Sequence, residues 1–189
     1  AHALCWLRFN RKMPMVATEV GDWNADVLGV GDEFSVEVEV KVSKADLMRE
    51  LTSKAAKHFL YAAGTGGRHV PNYFYFFVPE PLAESAVQLV NEKAPKFGVV
   101  AWSEPNAPST RFSIQSCRVA KKASTLHDKT PSAGLKRAIL LRMGSELCGQ
   151  HLCEIAWRDA VSEALESQGR QALEIIDKMQ DWKYVEEDG

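Results

Sequence analysis

The sequence predicts an α/β protein in which helices flank a mixed central sheet and a C-terminal helical extension follows. Three observations support this prediction. Apolar segments typical of strands are followed by helical segments in the order strand, strand, strand, helix, strand, helix, strand. The chain has 189 residues, of which 46% are hydrophobic and 25% charged, enough for one domain with a buried core. From residue 135 onward the pattern indicates helix alone.

The first predicted elements are a short helix and two strands. Residues 4–11 predict a helix that stops before Pro14. Residues 15–20 are apolar and β-branched, which indicates a strand. Residues 25–30 predict a second strand, because they follow the turn-like sequence Gly-Asp-Trp-Asn at residues 21–24.

The third predicted strand, residues 34–42, carries the strongest local pattern in the chain. Its valines alternate with polar residues in a strict period of two, over Val36, Glu37, Val38, Glu39, Val40, Lys41, Val42 and Ser43. One face of this strand must therefore be buried and the other polar. A capping box from Ser43 to Asp46 then opens a helix that is predicted to reach about Ala63.

The remaining elements complete the sheet and add the extension. Residues 73–78 predict an aromatic strand, residues 82–93 a helix, and residues 98–102 a short buried strand. The later predictions are a strand at 111–119, a polar linker at 120–132, and two helices at 135–167 and 170–179 separated at Gly169. This pattern divides the chain into a core, residues 1–119, and a basic linker with C-terminal helices, residues 120–189, packing on or extending that core.

Composition favours a protein without membrane segments. No apolar run approaches the roughly 20 residues that a membrane-spanning helix needs. The N-terminal sequence lacks the charged start and the apolar stretch of a secretory signal. The four cysteines have no CxxC spacing, so neither a disulfide framework nor a zinc module is indicated. We therefore expect a cytoplasmic location.

Two acids and a lysine on neighbouring strands form the candidate site. Side chains two residues apart on a strand project from one face, roughly 7 Å apart, which makes Glu39 and Lys41 neighbours. Asp26 lies on the preceding strand, and a hairpin would bring its carboxylate to the same polar face. Two carboxylates there would offer the oxygen ligands that Mg²⁺ prefers. Phosphodiester hydrolysis requires charge neutralisation in the transition state and an activated water, both of which a bound metal can supply. A lysine beside the metal can orient or deprotonate that water and stabilise developing negative charge.

The same residues resemble the motif of a nuclease superfamily. The series Thr18-Glu19-Val20, Asn24-Ala25-Asp26-Val27-Leu28 and Glu39-Val40-Lys41-Val42-Ser43-Lys44-Ala45-Asp46 is similar to PD-(D/E)xK, or restriction-endonuclease-like, nucleases. Small phage and bacterial members are the most similar, and the resemblance covers about residues 4–119. Ala25 stands where the motif name has proline. Glu37 is a second acid two residues early, but only Glu39 has a lysine at i+2.

The resemblance implies an activity and a role for each motif residue. The activity is that of a Mg²⁺-dependent deoxyribonuclease, a phosphodiesterase in which Mn²⁺ could substitute, on a restriction-endonuclease-like core. Asp26 and Glu39 would bind the metal, and Lys41 would be catalytic. Glu19 matches an upstream acid that completes the metal site, by holding a second ion or orienting a metal-bound water.

Basic residues predict where DNA would bind. Residues 111–142 carry eight basic side chains against one acid, a net charge of +7 in a chain whose net charge is −2. From this segment we expect Lys121 and Lys122 to contact phosphates. A second basic set at helical spacing predicts a helix face on the DNA backbone: Lys54, Lys57 and His58.

Several alternatives stay open from the sequence alone. The acids and the lysine could form a solvated hairpin face on which Glu39 pairs with Lys41, and the basic residues could be ordinary surface. The chain could also be a nucleic-acid-binding or assembly module on a nuclease fold, or a nuclease acting on RNA. The sequence leaves undecided endonuclease or exonuclease action, strand and sequence specificity, and whether the protein is a monomer or a homodimer.

Overall fold

The strands in the described part of the chain form one six-stranded mixed sheet, so the predicted α/β class is confirmed. A computed structural model describes the backbone of residues 1–20, 24–65, 70–103 and 116–185, with side chains up to residue 171. Two compact units divide the chain, Ala1–Gly144 and Ser145–Gly189. The first unit contains the whole sheet and extends beyond residue 119, where the sequence placed the end of the core.

The sheet combines antiparallel and parallel pairs in sequential order. The strands are β1 (Met15–Val20), β2 (Ala25–Val30), β3 (Ser35–Val40), β4 (Tyr73–Pro79), β5 (Gly98–Trp102) and β6 (Cys117–Lys121). The helices are α1 (His2–Cys5, followed by a π-helical turn at Trp6–Asn10), α2 (Lys44–Ser53), α3 (Ala55–Ala62), α4 (Ala83–Lys93, after a 3₁₀ turn at Glu80–Leu82) and α5 (Ala133–Val185). The strand β2 is antiparallel to both of its neighbours, β1 and β3. The strands β3, β4 and β5 run parallel to one another, and β6 is antiparallel to β5.

Three elements differ from their prediction. The helix expected from Ser43 to Ala63 is interrupted at Lys54, whose φ of −104° and ψ of 24° lie outside the helical region. The break expected at Gly169 is wrong, because α5 is continuous there; a single glycine inside a helix costs only about 1 kcal/mol. The late strand is observed at Cys117–Lys121, while residues 111–115 and the turn residues 21–23 lie outside the described residues.

Helices cover both faces of the sheet. On one face α1 packs over the middle strands in a cluster that includes Trp6 and Val38. On the opposite face α2, α3 and α4 pack over β4 and β5 around Phe76. Leu135 and Ile139, in the first turns of α5, pack with residues of β1 and β2 in a third cluster. The sheet is thus the middle layer of the first unit.

The strand β3 interrupts one of these apolar faces with charge. Leu28 pairs with Glu37 in the register of β2 and β3, and Glu37 pairs with Phe74 in the register of β3 and β4. Paired residues project to the same face of a sheet. Glu37 and Glu39 therefore lie between the apolar cluster of β1 and β2 and that of β4 and β5. This buried seam contains the candidate site.

The longest helix, α5, spans 53 residues. Every residue from 147 to 171 is exposed, including large apolar side chains such as Leu152 and Trp157. None of the helices in the described part of the chain combines the length and the hydropathy that a membrane-spanning segment requires.

Candidate functional site

Asp26 and Glu39 occupy adjacent positions on antiparallel strands. Val27 pairs with Val38, and Asp26 and Glu39 are the next residues along the two strands. Asp26 Oδ2 accepts a hydrogen bond of 2.7 Å from the backbone N–H of Val40. Burial and the neighbouring Glu39 carboxylate raise the pKa of Asp26 above its usual 3.8, despite that hydrogen bond and the nearby lysines. Burial, the larger of these two causes, thus disfavours the charged form of Asp26.

The Glu39 carboxylate lies between two lysines. Its Oε1 atom is 2.7 Å from Lys57 Nζ, and its Oε2 atom is 3.2 Å from Lys41 Nζ. The Glu39 side chain is 2% exposed and the Lys57 side chain 0% exposed, so these contacts are shielded from water. A carboxylate oxygen can accept more than one partner. The lysines therefore orient Glu39 without using all of its lone pairs.

Lys41 bridges two acids from different elements. Its backbone N–H donates to the carbonyl of Phe77 at 3.0 Å, which continues the pairing of β3 with β4. Its Nζ atom is 3.2 Å from Glu39 Oε2 and 3.2 Å from Glu50 Oε2. Burial lowers the pKa of Lys41, but Glu39 and Glu50 outweigh it and the net pKa is raised above 10.5. Lys41 is therefore a cation at neutral pH, suited to stabilising negative charge and not to removing a proton from water.

Lys57 joins the two acids of β3. Its Nζ atom is 2.8 Å from Glu37 Oε1 as well as 2.7 Å from Glu39 Oε1. Tyr61, one helical turn further along α3, donates its hydroxyl hydrogen to Glu37 Oε2 at 2.9 Å. Burial raises the pKa of Glu37 above its usual 4.5 although Lys57 opposes this shift. For Lys57, burial opposes the charge, but the two carboxylates outweigh it and raise its pKa above 10.5.

Glu50 is a site acid that the sequence analysis did not identify. Its Oε2 atom is 3.2 Å from Lys41 Nζ and 3.0 Å from Lys54 Nζ, and its Oε1 atom is 3.5 Å from His58 Nε2. Burial raises the pKa of Glu50, but His58, Lys54 and Lys41 outweigh it and lower the pKa to about 2. Glu50 and Lys54 are four residues apart on a predicted helix, a spacing that indicates an ion pair. The sequence does not show, however, that this face of the helix meets β3.

Six of these side chains form one continuous series of acids and bases that alternate in charge, and the Tyr61 hydroxyl contacts the first acid. In order of contact the series is Tyr61, Glu37, Lys57, Glu39, Lys41, Glu50 and Lys54. Removing one partner from a buried ion pair leaves an uncompensated charge, which costs about 3–5 kcal/mol. The series therefore fixes each interior side chain through its two neighbours. We call it the charge series.

Lys57 and His58 do not form an exposed basic face. Both are buried, and the His58 ring packs edge-on against Phe74, Phe76 and Phe97. Their expected contact with the DNA backbone is therefore wrong in this structure. Helical spacing showed that they are close on the helix, but in the folded chain both side chains face the sheet. The Lys54 side chain is 42% exposed, and its Nζ atom contacts the buried carboxylate of Glu50.

The two lysines predicted to contact phosphates have different surroundings. Lys121 donates from Nζ to two backbone carbonyls of the loop before β5, at 2.6 and 2.5 Å. Lys122 is exposed. Elsewhere in the same basic segment, Arg118 pairs with a glutamate of the 3₁₀ turn before α4, and Lys136 pairs with Asp32 at 2.9 Å. Much of the segment's positive charge is thus paired within the chain, and Lys122 is better placed than Lys121 for a phosphate.

Glu19 lies on the strand next to Asp26, but its side chain has another partner. The register of β1 and β2 places Glu19 opposite Asp26. Its backbone is left-handed, with a φ of 51°, and its side chain is 63% exposed. Its Oε2 atom is 2.9 Å from Arg142 Nη2. The supporting role of Glu19 in a metal site remains a prediction.

The carboxylates of Asp26 and Glu39 are oxygen ligands of the type that Mg²⁺ prefers. Among the described residues, Asp26 Oδ1 accepts no hydrogen bond. A cation beside this carboxylate would favour its charged form, which burial disfavours. The described part of the chain contains no group of three or more His, Cys, Asp or Glu side chains arranged around a metal position. Mg²⁺ is commonly held by one or two carboxylates, with water and substrate phosphates as its other ligands. Two protein ligands are therefore sufficient for this ion.

Comparisons with known proteins provide no assignment. No family model matches the sequence, and no curated protein matches it significantly. A similar solved structure is the SPO1766 protein of unknown function from Silicibacter pomeroyi, with 10% sequence identity and a TM-score of 0.46. The match covers 78% of this chain and 84% of that chain. The function must therefore be argued from the site.

Proposed function

We propose that this protein is a metal-dependent nuclease that hydrolyses phosphodiester bonds in DNA. One observation carries the proposal: Asp26 and Glu39 lie side by side on antiparallel strands, and the Lys41 ammonium is 3.2 Å from Glu39. The sequence resemblance to PD-(D/E)xK nucleases supports the same three residues. Burying charged side chains costs free energy unless they are fully paired or coordinate a metal.

The proposed chemistry assigns a separate task to each residue. Asp26 and Glu39 would hold Mg²⁺, which when bound neutralises phosphate charge and makes a bound water more acidic. Lys41, protonated at neutral pH, would stabilise the negative charge that develops on the phosphate oxygens. Lys57 would keep the Glu39 carboxylate oriented, because it contacts the oxygen that Lys41 does not.

The direct test is a cleavage assay with the purified protein. Plasmid, linear duplex, single-stranded DNA and RNA would each be incubated with Mg²⁺, Mn²⁺ or EDTA. We expect cleavage of DNA that requires a divalent cation and is abolished by EDTA. Cleavage of RNA alone would transfer the proposal to a ribonuclease, and no cleavage of any substrate with either metal would contradict the proposed function.

Matched variants locate the activity. Asp26→Asn and Glu39→Gln keep the shape of each side chain but remove its charge, and Asp46→Asn on the exposed first turn of α2 removes a carboxylate outside the charge series. The first two should lose cleavage and Mg²⁺ binding measured by calorimetry, while the third retains both. Unchanged Mg²⁺ binding in the first two would place the metal elsewhere.

A second candidate is a nucleic-acid-binding module without turnover. The observation that favours it is the pairing of both Glu39 oxygens with lysines, which could neutralise this acid permanently. This alternative predicts DNA binding that is equal in Mg²⁺ and in EDTA, with no product. A filter-binding measurement under both conditions, run beside the cleavage assay, separates the two candidates.

A further inference from the structure

We infer that Glu50 is a positioning residue that shares the Lys41 ammonium with Glu39 and so keeps Lys41 in place. This inference rests on the proposed function for its meaning in catalysis. Glu50 lies outside the motif of the resemblance, on the helix that follows β3.

The first support is the geometry at Lys41. Its Nζ atom is 3.2 Å from Glu39 Oε2 and 3.2 Å from Glu50 Oε2. The ammonium is thus shared equally between a proposed metal ligand and a second acid. A lysine with Glu39 as its only partner would compete with a cation for that carboxylate. The second acid draws part of this charge away while it keeps the ammonium at the site.

The second support is that Glu50 is itself held in place. It is buried on α2 beside Leu51, which belongs to the apolar cluster under the helices. Lys54 contacts its Oε2 atom at 3.0 Å. The helix begins with a side-chain cap, in which Ser43 accepts a hydrogen bond from the Asp46 N–H at 3.1 Å. A fixed helix and a second cation therefore fix the carboxylate that Lys41 contacts.

The test is competitive labelling of lysines by a small acylating reagent, read by mass spectrometry. The exposed Lys93 is the internal standard. Lys57, which is buried in the charge series and has no contact with Glu50 among the described residues, reports any loosening of the fold. In Glu50→Gln, labelling of Lys41 relative to Lys93 should rise about tenfold while Lys57 stays protected, since a hydrogen bond to a charged group contributes at least a factor of this order. Asp46→Asn, on the same helix, should keep the wild-type ratio.

Each other result overturns the inference. An equal rise at Lys41 and Lys57 would mean that the substitution loosens the fold, and an unchanged ratio would mean that Glu50 does not hold Lys41. If Glu50→Gln fails to fold, Glu50→Asp keeps the charge with a shorter reach. It should give a smaller but measurable rise in the ratio, and a wild-type ratio in that variant would overturn the inference.

Kinetics then tests the consequence for catalysis. Glu50→Gln should lower kcat about 10- to 100-fold, as changes of residues that orient a metal-site group commonly do. The KM for DNA should stay unchanged, and Glu50→Asp should recover part of the loss. A wild-type kcat in Glu50→Gln would overturn the catalytic part of the inference. The labelling experiment does not depend on activity. A protein that cleaves nothing would therefore contradict the proposed function, while the labelling ratio of Lys41 would still test whether Glu50 positions this lysine.

Discussion

Replacing Lys57 with methionine removes the cation between Glu37 and Glu39 and keeps an unbranched side chain of similar length. In the native protein its Nζ atom lies 2.8 Å from Glu37 and 2.7 Å from Glu39, and the Lys57 side chain is 0% exposed. The substitution leaves two carboxylates close together in a buried seam. Because methionine fills most of the same volume, the loss should be electrostatic and not the result of a cavity.

The expected size follows from the burial of these contacts. Removing one partner of a buried ion pair costs about 3–5 kcal/mol. Lys41 still contacts Glu39 and Tyr61 still donates to Glu37, so we expect a loss near the lower end of that range. A domain of this kind typically has about 5–15 kcal/mol of stability. The variant should therefore fold but unfold at a clearly lower urea concentration.

The loss should also depend on pH. Burial already raises the pKa of Glu37 above 4.5, and removing Lys57 should raise it further. A carboxyl group whose pKa is higher in the folded state binds its proton more tightly there, so folding is favoured at low pH and weakened as pH rises through that pKa. The free energy of unfolding of Lys57→Met should thus fall between about pH 5 and pH 8, relative to the wild type.

Urea unfolding at the two pH values measures both effects. Lys93→Met, which replaces an exposed lysine of α4, is the matched control and should change stability by less than about 0.5 kcal/mol. A loss for Lys57→Met below about 1 kcal/mol, equal at both pH values, would refute the argument that the charge series is electrostatically tight.

Three further predictions concern the proposed activity and its substrate. Asp26→Asn and Lys41→Gln should each lower metal-dependent cleavage more than about 100-fold, because substitutions of residues that only support a metal ligand already cost about 10- to 100-fold. A wild-type rate in either variant would exclude that residue from the active site. Glu19→Gln should raise the Mg²⁺ concentration for half-maximal cleavage but lower the rate less than Asp26→Asn, and a wild-type Mg²⁺ titration would remove Glu19 from the site. Lys122→Ala should flatten the slope of log affinity against log salt by about one unit, whereas Lys121→Ala should not, because the Lys121 ammonium is bound to backbone carbonyls. A wild-type slope in both variants would show that neither lysine contacts phosphate.

The pattern of β3 illustrates what could be predicted from local sequence. Strict alternation indicates a strand and separates its two faces, because successive side chains point to opposite sides. The same rule is enough to place Glu37, Glu39 and Lys41 together on one polar face. The positions of β1, β2, β4 and β5 followed from their apolar and β-branched composition in the same way.

The surroundings of that face could not be predicted. Lys57 and His58 were predicted to lie on a helix face that contacts DNA, and Glu50 was not singled out, because helical spacing shows which side chains share a face and not what the face contacts. Whether the face meets water or β3 depends on the packing of α2 and α3 against the sheet.

The order of the elements, the polar face of β3 and the candidate pair Asp26 and Glu39 could thus be predicted from the amino-acid pattern. The burial of this face, the contacts of Lys57 and Lys41 with opposite oxygens of Glu39, and the second contact of Lys41 with Glu50 depend on the folded chain. Periodicity is a property of one element, and it does not describe what that element meets. The ionisation and orientation of a buried acid instead depend on charges that distant parts of the chain bring within about 4 Å of it.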